Sequence, residues 1–369
     1  MRIDSVELKQ IKLPMKAPFE TSFGLQTERT LILVKVNAEG AAGWGEASQL
    51  QDPWYNYEYT DTAWYILKDY LIPSVLGKDF KDPDEFKKAY GFVRGHNFAK
   101  GGLENAFWDT YARSLNQPLA RVLGGVKERI DVGVSIGIQK SPADLVRAVE
   151  GFVAQGYKRI KIKIKPGRDY DDLKAVRDRF PDVPIMADAN SAYRLEDIPL
   201  FQKMDGLNLM MFEQPLAWDD IVDHAKLQRA VQTPICLDES VHSVEDARKA
   251  LDLGSCRIIN IKVGRVGGHS GAKAIHDLME SRGLPVWCGG MFECGVGRAH
   301  NIALTSLPNF RLPGDTSASE RYYYEDVVDE PAKLNPDGTI SVPERPGIGV
   351  EVLPGQLEKY LQREYSAKA

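Results

Sequence analysis

Cysteine is scarce in this chain. Cys236, Cys256, Cys288 and Cys294 are the only four in 369 residues, and no two form a C-x-x-C pair. A disulfide framework is therefore not expected, and reduced thiols in an intracellular protein are the reading. Long apolar runs are absent as well: nothing approaches 18 uninterrupted apolar residues, and the opening segment MRIDSVELKQIKLPM alternates like a strand with no apolar stretch of the signal-peptide kind. No membrane partner is expected, and the cytoplasm is the expected compartment. An excess of positive charge is lacking too. With 47 Lys and Arg against 52 Asp and Glu the formal charge is −5, and no basic patch stands out, so no nucleic-acid partner is expected. The arrangement G-x-x-x-x-G-K-[ST] does not occur either, and the glycines of VGRVGGHSG read as tight strand-to-helix turning rather than a phosphate cradle.

What is present is an ordinary globular composition, 43% hydrophobic and 27% charged, in a chain long enough for a barrel and a smaller domain. Residues 1 to about 50 alternate apolar and polar in IDSVELKQIKL and LILVKVNAEG, which reads as a three-stranded antiparallel meander. From Tyr57 to about Leu123 the spacing turns helical, with Leu103, Phe107 and Tyr111 on one stripe. Beyond Gly124-Gly125, short apolar runs alternate with helix-like segments: IDVGVSIGI, RIKIKIK, VPIMADA, LNLMMFE, TPICLDE, RIINIKV, LPVWCGG and NFRLPGD. Eight such runs fit an α/β fold, a (β/α)8 barrel of the TIM type, with its active site at the C-terminal ends of the strands. The expected organisation is an α+β capping domain over residues 1–124, the barrel over 125–325, and a segment 326–369 that packs back on the capping domain and ends in a short helix.

Ionisable residues close five consecutive runs. Lys163, Asp188, Glu213 and Asp238 follow one another at intervals of 25 residues, and Lys262 comes 24 later. Each interval matches one strand, one helix and two short loops. Successive βα units would thus bring all five side chains to one end of the barrel. Three carboxylates meeting there suit a hard divalent cation, Mg²⁺ or Mn²⁺, better than zinc, which prefers nitrogen and sulfur. Lys161 and Lys163 share one strand face and Ile162 and Ile164 the other. Ammonium groups inside a barrel are costly to bury unless carboxylates compensate them. Any one of these residues has a bland explanation, since an acid after a strand is commonly a helix cap. Five in the order Lys, Asp, Glu, Asp, Lys do not.

That order resembles the enolase superfamily and, within it, the muconate-lactonising subgroup. The resemblance runs through PFETSFG, GWGEAS, AFWDTYAR, DANSAY, FEQP, LDES, NIKVGRVGG, GGMFECGVGRAHN and PGIGVEV. It implies Asp188, Glu213 and Asp238 as Mg²⁺ ligands, with Mn²⁺ or another divalent cation as a substitute. Lys163 and Lys262 would be acid–base residues on opposite faces of a small carboxylate substrate. GGMFECGVGRAHN and LPGDTSASERYYYEDV resemble the o-succinylbenzoate synthases that also racemise N-succinylamino acids. The family resemblance also implies a homo-oligomer, a dimer or an octamer. Supporting positions would be Lys161, Asn190, Glu239 and Arg265, for which helix capping or a solvated loop is the competing explanation. Substrate contacts would come from Phe19, Phe23, Tyr55, Ser135, Gly290, Met291 and Phe292. None of the six histidines lies at the end of the seventh run, unlike the acid-sugar dehydratases of the superfamily. A dipeptide epimerase would carry D-x-D where this chain has Asp315, Thr316 and Ser317. Cycloisomerisation is a third activity of the same subgroup, and a Schiff-base aldolase would leave the three acids without a purpose.

Overall fold

In the computed structural model, which describes residues 1–369, the N-terminal alternation becomes an antiparallel meander of β1 (Ile3–Thr21), β2 (Gly24–Ala38) and β3 (Ala41–Ala47). The β2–β3 hairpin turns through Glu39 and Gly40, at φ 48° and 81°, the two left-handed positions that suit a tight hairpin. Strand β2 is buried on both faces. Ile32, Val34 and Val36 join the core under the helix Asn97–Ser114, while Leu31 and Leu33 join a second core shared with the helix Gly295–Thr305. Close approach is what glycine allows at β3: a Cβ on Gly45 would stand 2.2 Å from the Gly102 carbonyl oxygen of the helix Asn97–Ser114.

The first apolar run after Gly125 splits at Gly133. Its leading piece β4 (Arg129–Asp131) stays outside the barrel, and its second piece β5 (Val134–Ile136) enters it. There follow β6 (Ile160–Lys163), β7 (Ile185–Asp188), β8 (Phe212–Glu213), β9 (Ile235–Leu237), β10 (Ile258–Ile261) and β11 (Val286–Cys288), a seven-stranded parallel sheet in sequence order with helices between the strands. The eighth run forms no ladder. Residues 309–315 close the ring through single bridges, Val286 with Phe310 and Val132 with Gly314, with Asp315 N–H donating to the Cys288 carbonyl at 2.8 Å. Pro313 has no N–H to give a ladder, so the eight expected strands become seven and one irregular closing segment. This curled sheet with the antiparallel N-terminal layer is the mixed α/β architecture expected from the sequence.

Further on, β12 (Thr339–Ser341) pairs with β4. The helix Pro354–Tyr360 then hands over to β13 (Leu361–Lys368), which runs antiparallel to β1. The tail therefore ends in a strand rather than the expected helix. LQREYSAK alternates between half-buried and exposed, the pattern of an edge strand completing the free side of β1. No helix is long and apolar enough to cross a membrane.

Inside the barrel the side-chain period of two sorts residues by height. Met186, Met211, Cys236, Ile258 and Trp287 form an apolar plug. Two residues onward along β7, β8 and β9, the same inward parity delivers Asp188, Glu213 and Asp238.

Candidate functional site

The ladder register fixes the relative heights of these groups. Lys163 lies opposite Asp188, and Asp188 opposite Glu213, so three of them form one row across β6, β7 and β8. Glu213 is opposite Cys236, which sets Asp238 two residues higher. The backbone just past this row leaves ordinary strand geometry: Asn190, Ser191 and Gln214 have φ of 41°, 64° and 38°. Left-handed backbone at non-glycine residues costs free energy and is typical of sites where side-chain aim matters.

All three carboxylates are buried, at most 1% exposed. Lys161, also buried, links Asp188 and Glu213 from below. Its Nζ stands 3.1 Å from Asp188, 3.2 Å from Glu213 and 2.6 Å from Asp315, and 5.0 Å above the Trp287 ring. Lys163 Nζ donates to Asp188 Oδ2 and Asn190 Oδ1, each at 2.6 Å. Lys262 Nζ lies 2.8 Å from Asp238 Oδ2 and donates to the Tyr55 hydroxyl at 3.0 Å, which itself donates to Asp238 Oδ1. Arg265 also grips Asp238 and donates to the Val241 carbonyl. Asn190 bridges outward, its Nδ2 donating to Glu239 Oε1 at 2.9 Å.

The electrostatics follow from crowding in low dielectric. Burial would raise the pKa of Asp188, but Lys163 and Lys161 outweigh it and hold the carboxyl below its usual range. Glu213, with Asn260 donating to one oxygen, is pushed up to about 8 by burial and then by neighbouring Asp188, against the pull of Lys161. Burial would lower Lys262, yet Asp238 and then Tyr55 leave it above an ordinary lysine. Three buried oxygen-only donors are the ligand type that a hard divalent cation takes. Asp188, Glu213 and Asp238 therefore fit such an ion by donor type. Their oxygens are turned onto Lys161, Lys163, Lys262 and Arg265 and do not converge on one point.

Ligand atoms of three acidic or imidazole groups do come within 4.8 Å of one another elsewhere, at His276, Asp277 and Glu280. Neither ring nitrogen of His276 is free there. Nε2 accepts the Asn309 N–H at 2.9 Å, and Nδ1 faces Asp277 Oδ1 at 2.8 Å. That trio lies within the helix His269–Ser281, with its histidine already committed.

A cavity opens above the row, between the barrel mouth and the meander's β1–β2 loop. Lys161, Lys163, Asn190 and Lys262 line it, and so do all seven of the positions expected to touch substrate: Phe19, Phe23 and Tyr55 from the N-terminal layer, Ser135 on β5, and Gly290, Met291 and Phe292 after β11. Phe292 has φ 56°, and Arg29 Nε holds the neighbouring Met291 carbonyl at 3.0 Å. Arg265 and Glu239 do not line this cavity; Arg265 sits behind Asp238, and Glu239 faces an adjoining groove with Tyr57 and Trp218. Sequence reasoning missed Glu293, Arg298, Asp315 and Tyr322 as lining residues. Asp315 was legible as the end of an apolar run and as the first position of an incomplete D-x-D, but not as a residue of the cavity. Arg298 lies in the first turn of the helix Gly295–Thr305, where nothing local distinguishes it from a surface residue.

Comparison with known proteins gives a consistent picture. The model of the mandelate racemase / muconate lactonizing enzyme N-terminal domain matches residues 5–124, and that of the enolase C-terminal domain-like family matches residues 144–356. An o-succinylbenzoate synthase of Geobacillus stearothermophilus is 54% identical over 98% of this chain and 96% of its own length. An N-succinylamino acid racemase of Thermus thermophilus is 49% identical over 95% of both chains. The crystal structure of an enolase superfamily member from Listeria innocua superposes with a TM-score of 0.96 at 41% identity, covering 100% of this chain and 99% of that one.

Proposed function

Because the chain belongs to the o-succinylbenzoate synthase / N-succinylamino acid racemase family of the enolase superfamily, we propose that it dehydrates 2-succinyl-6-hydroxy-2,4-cyclohexadiene-1-carboxylate to o-succinylbenzoate, the product used in menaquinone synthesis. We propose that the same site racemises N-succinyl and other N-acyl amino acids. The observation that carries this reading is the pair of lysines in one cavity, Lys163 on β6 and Lys262 after β10, each held by its own carboxylate, Asp188 and Asp238.

A divalent cation bound by Asp188, Glu213 and Asp238, Mg²⁺ by hardness, would supply the positive charge that stabilises the substrate carboxylate as it becomes an enediolate. Lys163 is the base: Asp188 and Asn190 fix its Nζ, leaving one direction into the cavity for the proton α to that carboxylate. In the dehydration Lys163 returns this proton to the departing hydroxide, so C–H and C–O break and water leaves. Lys262, kept cationic by Asp238, faces the growing negative charge. In the racemisation the planar intermediate is reprotonated from the side opposite its deprotonation, and the two lysines exchange donor and acceptor roles.

Relatives of both names at about one-half identity support carrying both activities together. A homo-oligomer acting on a small carboxylate, without nucleic acid, completes the reading. Purified protein with Mg²⁺ should convert the cyclohexadiene acid to the aromatic product, seen in the ultraviolet. Failure of that conversion with every divalent cation tried would overturn the synthase reading.

A further inference from the structure

Four cations line the cavity, and three are already matched by carboxylates: Lys161 by Asp315, Glu213 and Asp188, Lys163 by Asp188, and Lys262 by Asp238. Arg298 is the exception. Its guanidinium is 1% exposed and makes no ion pair; Nη1 donates to the Ser317 carbonyl at 2.6 Å, Nη2 donates to the Glu293 carbonyl at 2.9 Å, and Nε has no partner. The Tyr322 ring lies 5.6 Å from its centre. A guanidinium cannot shed its charge, and a buried cation without a counter-anion is costly. Two carbonyls fix the direction of this one, and the group they fix borders the cavity.

The inference rests on the functional reading above. The cyclohexadiene acid and the N-succinyl amino acids proposed above each carry a second carboxylate at the end of a succinyl tail, besides the one beside the reacting carbon. The acid-lined row serves the first. We propose that Arg298 is the specificity residue for the second: its Nε–H and free charge receive the tail carboxylate of succinyl-bearing substrates, and this common anchor is what lets one pocket accept two different reacting centres. Glu293 does not compete for that role. It offers Arg298 only its backbone oxygen, and its carboxylate lies on the Gly290 side of the cavity.

The test is a pair of ligands differing only in tail charge. Calorimetric titration with o-succinylbenzoate and with its tail amide, in the presence of Mg²⁺, should show the dicarboxylate binding roughly tenfold to a hundredfold tighter to the unaltered protein, the range of a charge-assisted hydrogen bond. Arg298→Met should bring the two ligands level, and Arg298→Lys should restore part of the gap. Equal affinities in the unaltered protein would overturn the proposal without any variant, so it stays testable even if Arg298→Met fails to fold. A gap undiminished in Arg298→Met would overturn it as well. Turnover is read separately. Dehydration or α-proton exchange without tail discrimination removes the subsite and leaves the function, whereas tail discrimination without either reaction removes the function and leaves the subsite.

Discussion

At the residue scale, the site is a chain of compensations beginning below the cavity. Arg159 and Lys161 lie over Trp287 at 4.9 and 5.0 Å, and both pair with Asp315, at 2.7 and 2.6 Å. Burial would raise the pKa of Asp315, but Arg159 and Lys161 bring it down to about 2, so it is an anion near neutral pH. Removing it leaves two buried cations with less counter-charge. Asp315→Ala is expected to cost about 3–5 kcal/mol, the range for breaking a buried ion pair, and urea unfolding measures it. A loss below about 1 kcal/mol would mean that Lys161 is held by Asp188 and Glu213 alone. Lys163 and the three acids were legible in the sequence because charged residues closing apolar runs at a steady interval have no structural purpose of their own. Asp315 was not, because its partner Arg159 lies at the start of a different run and only barrel closure brings the two together.

At the element scale, the helix Gly295–Thr305 ties the pocket loop to the N-terminal layer. Glu46 at the end of β3 accepts the backbone N–H of Cys294 and of Gly297, both at 3.1 Å, and the Cys294 thiol at 3.0 Å, while its other oxygen has no partner. Acids are favoured at helix N-termini. Here, however, burial and then Glu293 push the carboxyl up to about 8, with Arg29, Cys294 and Gly297 pulling the other way. A raised carboxyl pKa means that the folded state holds its proton more tightly than the unfolded chain, whose value is 4.5. The stability it contributes is complete below pH 4.5 and is lost as pH rises through about 8. The melting temperature should therefore fall between pH 4.5 and about 8, and Glu46→Gln, fixed in the neutral state, should fall less steeply over the same range. Identical slopes would show that Glu46 is ionised throughout. This contact was hidden in the sequence: GWGEAS reads as a strand end, and Glu46 and Cys294 meet only through the packing of the meander on the barrel. The glycines of VGRVGGHSG have a similar second purpose. Gly267 and Gly268 do turn through φ of 82° and 109° as expected, but a Cβ on Gly264 would also strike the Phe98 ring at 2.5 Å.

At the scale of the whole molecule, the two ends of the chain meet in one sheet, since β13 pairs with β1 from Ser5 to Ile11. Tyr365 and Ala367 pack against the core beneath the meander, and Arg363 lies 4.2 Å over the Trp64 ring. A chain ending at Tyr360 should lose on the order of 2 kcal/mol of apolar burial and expose the edge of β1, so lower stability and concentration-dependent aggregation are expected in calorimetry and light scattering. Unchanged melting would show that the strand is dispensable. The barrel was legible from its run-and-helix rhythm. The missing eighth ladder and the terminal strand were not, because each depends on a backbone edge supplied by a distant segment. The central claim is that this assembly removes a proton α to a carboxylate with Lys163 and Lys262. Proton NMR in D₂O with Mg²⁺ and N-succinyl-L-phenylalanine tests it most directly. The account predicts loss of the α-hydrogen signal with formation of the D-isomer, falling roughly 10²- to 10⁴-fold in Lys163→Ala and in Lys262→Ala. An α-hydrogen that persists in the unaltered protein, or exchange that survives both substitutions, would contradict it.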